Sequence, residues 1–374
     1  MCDIITLPTF DIRVSREADS KKAIDLGEKV ESQHRDFVAI MASMYRQNHF
    51  HCFEHASHVT MSVRKLLSRI AAPDLLETQG DDDLASALHD HTYGITSDPL
   101  TQFSVVMAAM IHDVDHRGVP NSILCKEDPQ LASVYHGKSV AEQNSIDVAW
   151  NAMMDPSFED LRKCIYGDEN EFQRFRSLLV NSVMATDIFD KELALLRKSR
   201  WNKAFQEGQR EGSAMDDVNR KATIVIEHLI QASDVSHTMQ HWHVYQKWNA
   251  RLFEETYSAF LTGRSDTDPS EGWYKGEIGF FDHYIIPLAR KLKECGVFGV
   301  SSDEYLSYAT ENRREWEAKG FDIVNSLVDK FNRNDLSGAR VKTGHATVKK
   351  IGFDGQNITP PAALAHRNLG AKQA

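Results

Sequence analysis

The sequence predicts an all-α protein built as a compact multi-helix bundle. Apolar residues recur at helical spacing in one window after another, and the alternation that marks strands is scarce. The clearest helix-start signal, Asp98 followed by Pro99, stands just ahead of the longest apolar run, Val105 to Ile111.

Taken in chain order, Val59, Val63, Leu66, Leu67 and Ile70 form the first stripe, with Pro73 as a stop. Gly80 to Asp83 is rich in Gly and Asp and reads as a surface loop. A helix with Asp98 at its N-cap and Pro99 at its first position then runs through the apolar segment toward His112. Tyr245, Trp248, Leu252 and Phe253 make another stripe, and Gly263 to Gly272 another loop. From about Asn332 the periodicity fades, and Gly, Ala, Asn and the pair Pro360 and Pro361 take over. The expected organisation is an N-terminal extension over 1–20, one folded domain over 21–332, and a mobile tail over 333–374.

Composition excludes several classes. Of 374 residues, 41% are hydrophobic and 26% charged, which is globular usage and not that of a disordered chain. A net charge of -11 without a basic stripe argues against nucleic acid as a partner. An acidic protein can still bind a phosphate where divalent metals supply the local positive charge. Five scattered cysteines with no C-x-x-C pair suit a reducing compartment. No secretory signal is visible, and the longest apolar run is too short to span a bilayer, so a cytoplasmic protein, or the cytoplasmic side of a larger membrane protein, is expected.

Three segments carry metal chemistry. His51 and His55 are four apart, which on a helix puts both imidazoles on one face, continuous with Val59 and Val63. Buried imidazoles need partners, so the pair is either metal-ligating or a hydrogen-bonded core pair. The run His112-Asp113-Val114-Asp115-His116 shifts the balance toward metal, because a carboxylate can bridge two cations while imidazole holds one of them. Asp234 ends a further apolar helical stretch and by itself would mean little. Together the segments give His, His-Asp and Asp from three distant helices, the way an α-helical core builds an internal metal site.

The order and context of these segments closely resemble the catalytic domain of class I 3',5'-cyclic nucleotide phosphodiesterases, from roughly residue 30 to 332. The matching features are the His51/His55 pair, the His112 to His116 block, Glu142, Thr186-Asp187, Asp234 and the segment ending Gly279-Phe280. The stretches Asp234 to Phe253 and Cys295 to Phe298 suggest a branch from microbial or algal eukaryotes. The resemblance implies that His55, His112, Asp113 and Asp234 bind a tighter metal, zinc, and that Asp113 also reaches a second ion, magnesium or manganese, which keeps mostly water ligands. It implies hydrolysis of the 3' phosphoester of cGMP or cAMP by a hydroxide bridging the two ions, with His51 as general acid. Glu142 matches the acidic partner that orients His51, and His116, Thr186 and Asp187 match positions around the metals and their waters.

Leu252 and Phe280 match the two apolar positions that clamp the purine. Glu277 departs from the family, which places glutamine three residues before that phenylalanine. An ionised carboxylate accepts but cannot donate, which favours guanine, with adjacent donors on one edge, over adenine. Arg117 stands where the family has proline, beyond the ligands, and is expected to alter the loop more than the chemistry.

His89-Asp90-His91 imitates a ligand cluster but reads as an exposed polar loop, and His241 and His243 have no partner carboxylates at useful spacing. Two other functions fit parts of the pattern: a broader His-Asp metal hydrolase of another phosphorylated nucleotide, and a catalytically silent cyclic-nucleotide sensor. The second would normally show a lost ligand or a lost acid, and neither is missing. A module of a larger signalling protein and a homodimer are both compatible with the chain.

Overall fold

The structure, a computed structural model, describes residues 4–8, 11, 25–70, 81–206 and 214–338, and among these no strand forms. The helices are α1 (Glu28–Met44), α2 (Phe53–Ser68), α3 (Asp81–His91), α4 (Pro99–Ile111), α5 (Asn121–Glu127), α6 (Pro129–Val134), α7 (Val140–Met153) and α8 (Glu159–Ile165). They continue with α9 (Glu169–Met184), α10 (Lys191–Trp201), α11 (Ala214–Asp234), α12 (Trp242–Leu261), α13 (Trp273–Phe280), α14 (Ile286–Glu294) and α15 (Val300–Gly338). The all-α expectation holds.

The bundle forms because its apolar stripes have one another to cover. Helix α2 buries Val59, Val63 and Leu66 completely, each worth about 1.5–3 kcal/mol on removal from water. It packs on both α4 and α11, and those two also touch, so three helices that carry candidate ligands share one core. Helix α4 is held at its start by Asp98, which accepts from the Thr101 hydroxyl at 2.5 Å and from Arg174 of α9 at 2.9 Å. Pro99 occupies the first helical position, as the sequence predicts.

Four sequence expectations are corrected. Asp81–Asp83 belong to α3 and not to a loop, and His89 and His91 lie at the end of that helix, partly buried, with His89 Nδ1 2.5 Å from the Ser97 hydroxyl. Helix α15 runs to Gly338, past the break expected near Asn332. Ile5 and Leu7, inside the uninformative N-terminal stretch, are buried and donate main-chain N–H bonds to Thr223 and Asn219 of α11. Finally, α2 begins only at Phe53, because Cys52 is extended (φ -132°, ψ 172°), so His51 precedes the helix and the helical i, i+4 relation to His55 does not hold. The stop at Pro73, Gly80, most of the 1–20 extension, and the tail beyond Gly338 lie outside the described residues.

Candidate active site

His55, on the first turns of α2, His112 and Asp113, at the end of α4, and Asp234, the last residue of α11, converge. His55 Nε2 is 3.0 Å from Asp234 Oδ1 and 3.8 Å from Asp113 Oδ2; His112 Nε2 is 3.1 Å from Asp113 Oδ2 and 3.3 Å from Asp234 Oδ1. Ligand atoms about 2.0–2.1 Å from one tetrahedral cation lie roughly 3.3 Å from one another, so this spacing fits a single ion.

The protonation pattern supports the fit. His112 Nδ1 donates to the Ala109 carbonyl at 2.9 Å, which leaves Nε2 as the nitrogen that faces the carboxylates. Nε2 and Asp113 Oδ2 are both buried without a hydrogen-bond partner, a costly arrangement that a shared cation relieves. Burial opposes charge on Asp113, yet the facing histidines hold its carboxyl well below the usual range; Asp234 is lowered in the same way. Burial likewise opposes the His112 cation, and the two carboxylates still draw it well above an ordinary histidine. The pocket calls for positive charge.

His51 points elsewhere. Its Nδ1 meets Glu255 Oε1 in a short contact, while Glu255 Oε2 accepts the main-chain N–H groups of Phe50 at 2.8 Å and His51 at 3.0 Å. Burial pulls this imidazole down, but Glu255, and behind it Asp113 and Asp234, push it up to about 9. Its face stacks on His116, with ring centroids 3.8 Å apart. Burial and the neighbouring His51 cation pull His116 down to about 3, so the stack pairs a charged ring with a neutral one. His116 Nδ1 accepts the Gly118 N–H at 3.1 Å, which places its proton on Nε2.

Glu255 is the residue the sequence reading missed, and Glu142 does not take the place assigned to it. On the first turn of α7, Glu142 accepts from Asn121 Nδ2 at 2.9 Å. Burial, then the charges of Asp187 and Asp113, push it up to about 7. The signal for Glu255 was available: it continues the Trp248–Leu252 stripe, and a carboxylate on a core-facing stripe requires a charged partner. Asp187 is fixed by the Ser139 hydroxyl at 2.7 Å and by two main-chain N–H groups. Thr186, in the turn after α9, donates its hydroxyl to the Val183 carbonyl in the last turn of that helix.

At the other end of α12, Tyr245 donates to Glu277 Oε2 at 2.7 Å. Phe280, three residues beyond Glu277, lies parallel to Tyr284 at 5.4 Å, at the entry to a π-helical turn, Phe281–Ile285. Leu252 is half-buried on the α12 face that also carries Tyr245 and Glu255. Arg117 pairs with Asp128 at 2.9 Å, and its carbonyl accepts from Arg264, so it ties the loop after His116 to the α5–α6 junction. His241 and His243 stack on each other beside Tyr308.

Comparison with known proteins points to one group. A family model described as 3'5'-cyclic nucleotide phosphodiesterase fits residues 50–297. A Drosophila melanogaster 3',5'-cyclic-AMP phosphodiesterase, isoform F, is 25% identical over 68% of this chain and 36% of its own length. A Dictyostelium discoideum cGMP-specific 3',5'-cGMP phosphodiesterase is 21% identical over 76% of this chain and 55% of its own. The crystal structure of the phosphodiesterase domain of Salpingoeca rosetta rhodopsin phosphodiesterase superposes with a TM-score of 0.61 at 22% identity, over 86% of this chain and 88% of that one. The chain spans only about a third to a half of the length of these curated relatives.

Proposed function

This chain belongs to the 3'5'-cyclic nucleotide phosphodiesterase family, and from that premise we propose that it hydrolyses the 3' phosphoester of a cyclic purine nucleotide, cGMP or cAMP, to the 5'-monophosphate. The observation that carries the reading is the placement of a charged His51, locked by Glu255, beside four donor groups at cation spacing.

His55, His112, Asp113 and Asp234 would hold the tighter metal, zinc, with Asp113 reaching a second ion, magnesium or manganese. When bound, such cations supply an activated water at neutral pH and neutralise charge on the phosphoryl oxygens. The chain's own groups do the rest. Water adds to phosphorus and gives up a proton to solvent, the bond to O3' breaks, and the leaving oxygen takes the Nε2 proton of His51, which is then reprotonated from solvent. Glu255 keeps Nδ1 engaged, so the transferable proton stands on the opposite side of the ring. Neutral His116 presents its Nε2–H beside it as a donor that does not compete for the charge. Glu142, near Asp113 and Asp187, is a carboxyl able to hold or release a proton near pH 7. Leu252 and Phe280 would enclose the base and Glu277 would read its edge, with guanine favoured when that carboxyl is ionised.

Tyr45 supports the metal end by donating to the Met110 carbonyl at 2.8 Å, in the last turn of α4. Among the described residues no helix is long and apolar enough to cross a membrane. A place within a larger signalling protein is part of the same reading, supported by relatives much longer than this chain.

The test is to incubate the purified chain with cAMP and with cGMP, with Mg2+ or Mn2+ and with chelator. Metal-dependent appearance of the 5'-monophosphate is expected. No product under any metal condition would leave a nucleotide sensor, and turnover of a nucleoside triphosphate alone would indicate the broader hydrolase.

A further inference from the structure

The base end of the pocket contains a chain of polar groups whose direction is set from one end. The Trp273 indole N–H can only donate, and it lies 3.3 Å from Asn249 Oδ1. Asn249 therefore turns its amide nitrogen toward the Tyr245 hydroxyl oxygen, at 3.4 Å. Tyr245 in turn donates to Glu277 Oε2 at 2.7 Å. Every link points at the carboxyl, so Oε2 is held as an acceptor. The other oxygen, Oε1, is left to express the protonation state: with a proton it donates, and without one it accepts.

Among the described residues, Tyr245 is the only titratable group that acts on Glu277, and burial together with Glu277 itself holds that phenol neutral. From α15, Trp316 packs edge-on against the Tyr245 ring, while Arg313 is engaged by Asp282 and Glu317. Burial pushes the Glu277 carboxyl up to about 7, partly offset by the Tyr245 hydrogen bond and by the Asn249 amide behind it. Both protonation states are therefore populated near neutral pH.

We propose that Glu277, oriented by the Trp273–Asn249–Tyr245 chain, is a purine-selectivity switch that reads either base as an acid and guanine alone as a carboxylate. The inference rests on the cyclic purine nucleotide reading of the pocket. A neutral carboxyl offers one donor and one acceptor, as a primary amide does. With Oε2 accepting and Oε1 donating, it pairs with the 6-amino group and N1 of adenine, or, with the base turned over, with N1–H and O6 of guanine. The ionised form accepts two bonds from the adjacent N1–H and 2-amino group of guanine. Against adenine it makes one bond and opposes the lone pair of N1, leaving buried polar groups unpaired.

The experiment is the ratio of kcat/KM for cGMP to kcat/KM for cAMP between pH 6 and 8.5, measured on the whole chain with saturating Mg2+. Taking the ratio cancels titrations common to both substrates. The wild type is expected to gain about tenfold in guanine selectivity across this range, the scale of one mispaired buried hydrogen bond. Glu277→Gln is expected to give a ratio independent of pH. Tyr245→Phe removes a bond that favours the carboxylate, so its transition moves to higher pH. A flat ratio in the wild type, or the same slope in Glu277→Gln, overturns the switch while leaving the hydrolase intact. Absence of turnover on both cyclic substrates overturns the underlying reading of the pocket.

Discussion

Glu255 closes on His51 across 204 positions of sequence, one carboxylate oxygen on the imidazole and the other on the main-chain N–H groups that precede α2. Three contacts thus fix a segment that lies outside any helix. Arg251, one turn earlier on α12, reinforces the same junction: it donates to the His49 carbonyl at 2.5 Å and pairs with Glu54 at 2.6 Å. The loop bearing His51 owes its order to α12 and not to α2.

From this follows a prediction on pH. A histidine raised to about 9 stays protonated through neutrality, and an acid of that kind fails as pH rises through its folded value. The alkaline limb of kcat is expected near pH 9. Glu255→Gln removes the principal raising charge, so the limb should move down toward the ordinary histidine range. His51→Ala should lose roughly 10²–10⁴ in kcat. Rate profiles from pH 6 to 10 for the three proteins check this.

A second prediction concerns Gly118. It has φ +68°, and an added Cβ would lie 3.1 Å from Asn48 Oδ1 and 3.4 Å from Glu255 Cδ. Gly118→Ala should cost about 1–2 kcal/mol through the left-handed backbone alone. Because Asn48 also bonds the His51 and His116 carbonyls, the same change should lower kcat. Denaturant unfolding and steady-state rates separate the two effects.

A third tests how α4 is anchored. Asp98 is 4% exposed and paired with Arg174, so removing it leaves a buried guanidinium without its partner. Asp98→Ala is expected to destabilise by about 3–5 kcal/mol. Asp98→Asn, which keeps an acceptor for Thr101, should cost less. Thermal or urea melts decide this.

A fourth addresses the base. Phe280→Ala should raise KM for cGMP and cAMP to a similar extent, because stacking on a ring face does not distinguish purines. A loss confined to one substrate would contradict the role.

The fold class was legible in the sequence because it rests on local signals, periodic apolar stripes and a Pro-marked helix start. The convergence of His55, His112, Asp113 and Asp234 was foreshadowed by His and Asp at the ends of apolar helical stretches together with the family resemblance. Glu255 was harder, since its partner lies far away in sequence and only burial distinguishes it from the adjacent Glu254. The start of α2 was misread because Cys52 takes an extended conformation that spacing alone does not reveal. Asp81–Asp83 have the composition of a loop, and only the helix they open, Asp81–His91, identifies them as its first turn. Docking of Ile5 and Leu7 onto α11 depends on two polar side chains of that helix, Asn219 and Thr223, which no local pattern marks as partners.

The central claim is that His55, His112, Asp113 and Asp234 share one cation. Elemental analysis of the folded, dialysed chain, beside His112→Ala and Asp234→Asn of matched helical content, tests it most directly. The account predicts about one tightly held divalent ion in the wild type, zinc foremost, and its loss in both variants. A folded wild type that takes up no divalent ion, or variants that retain it undiminished, would contradict it.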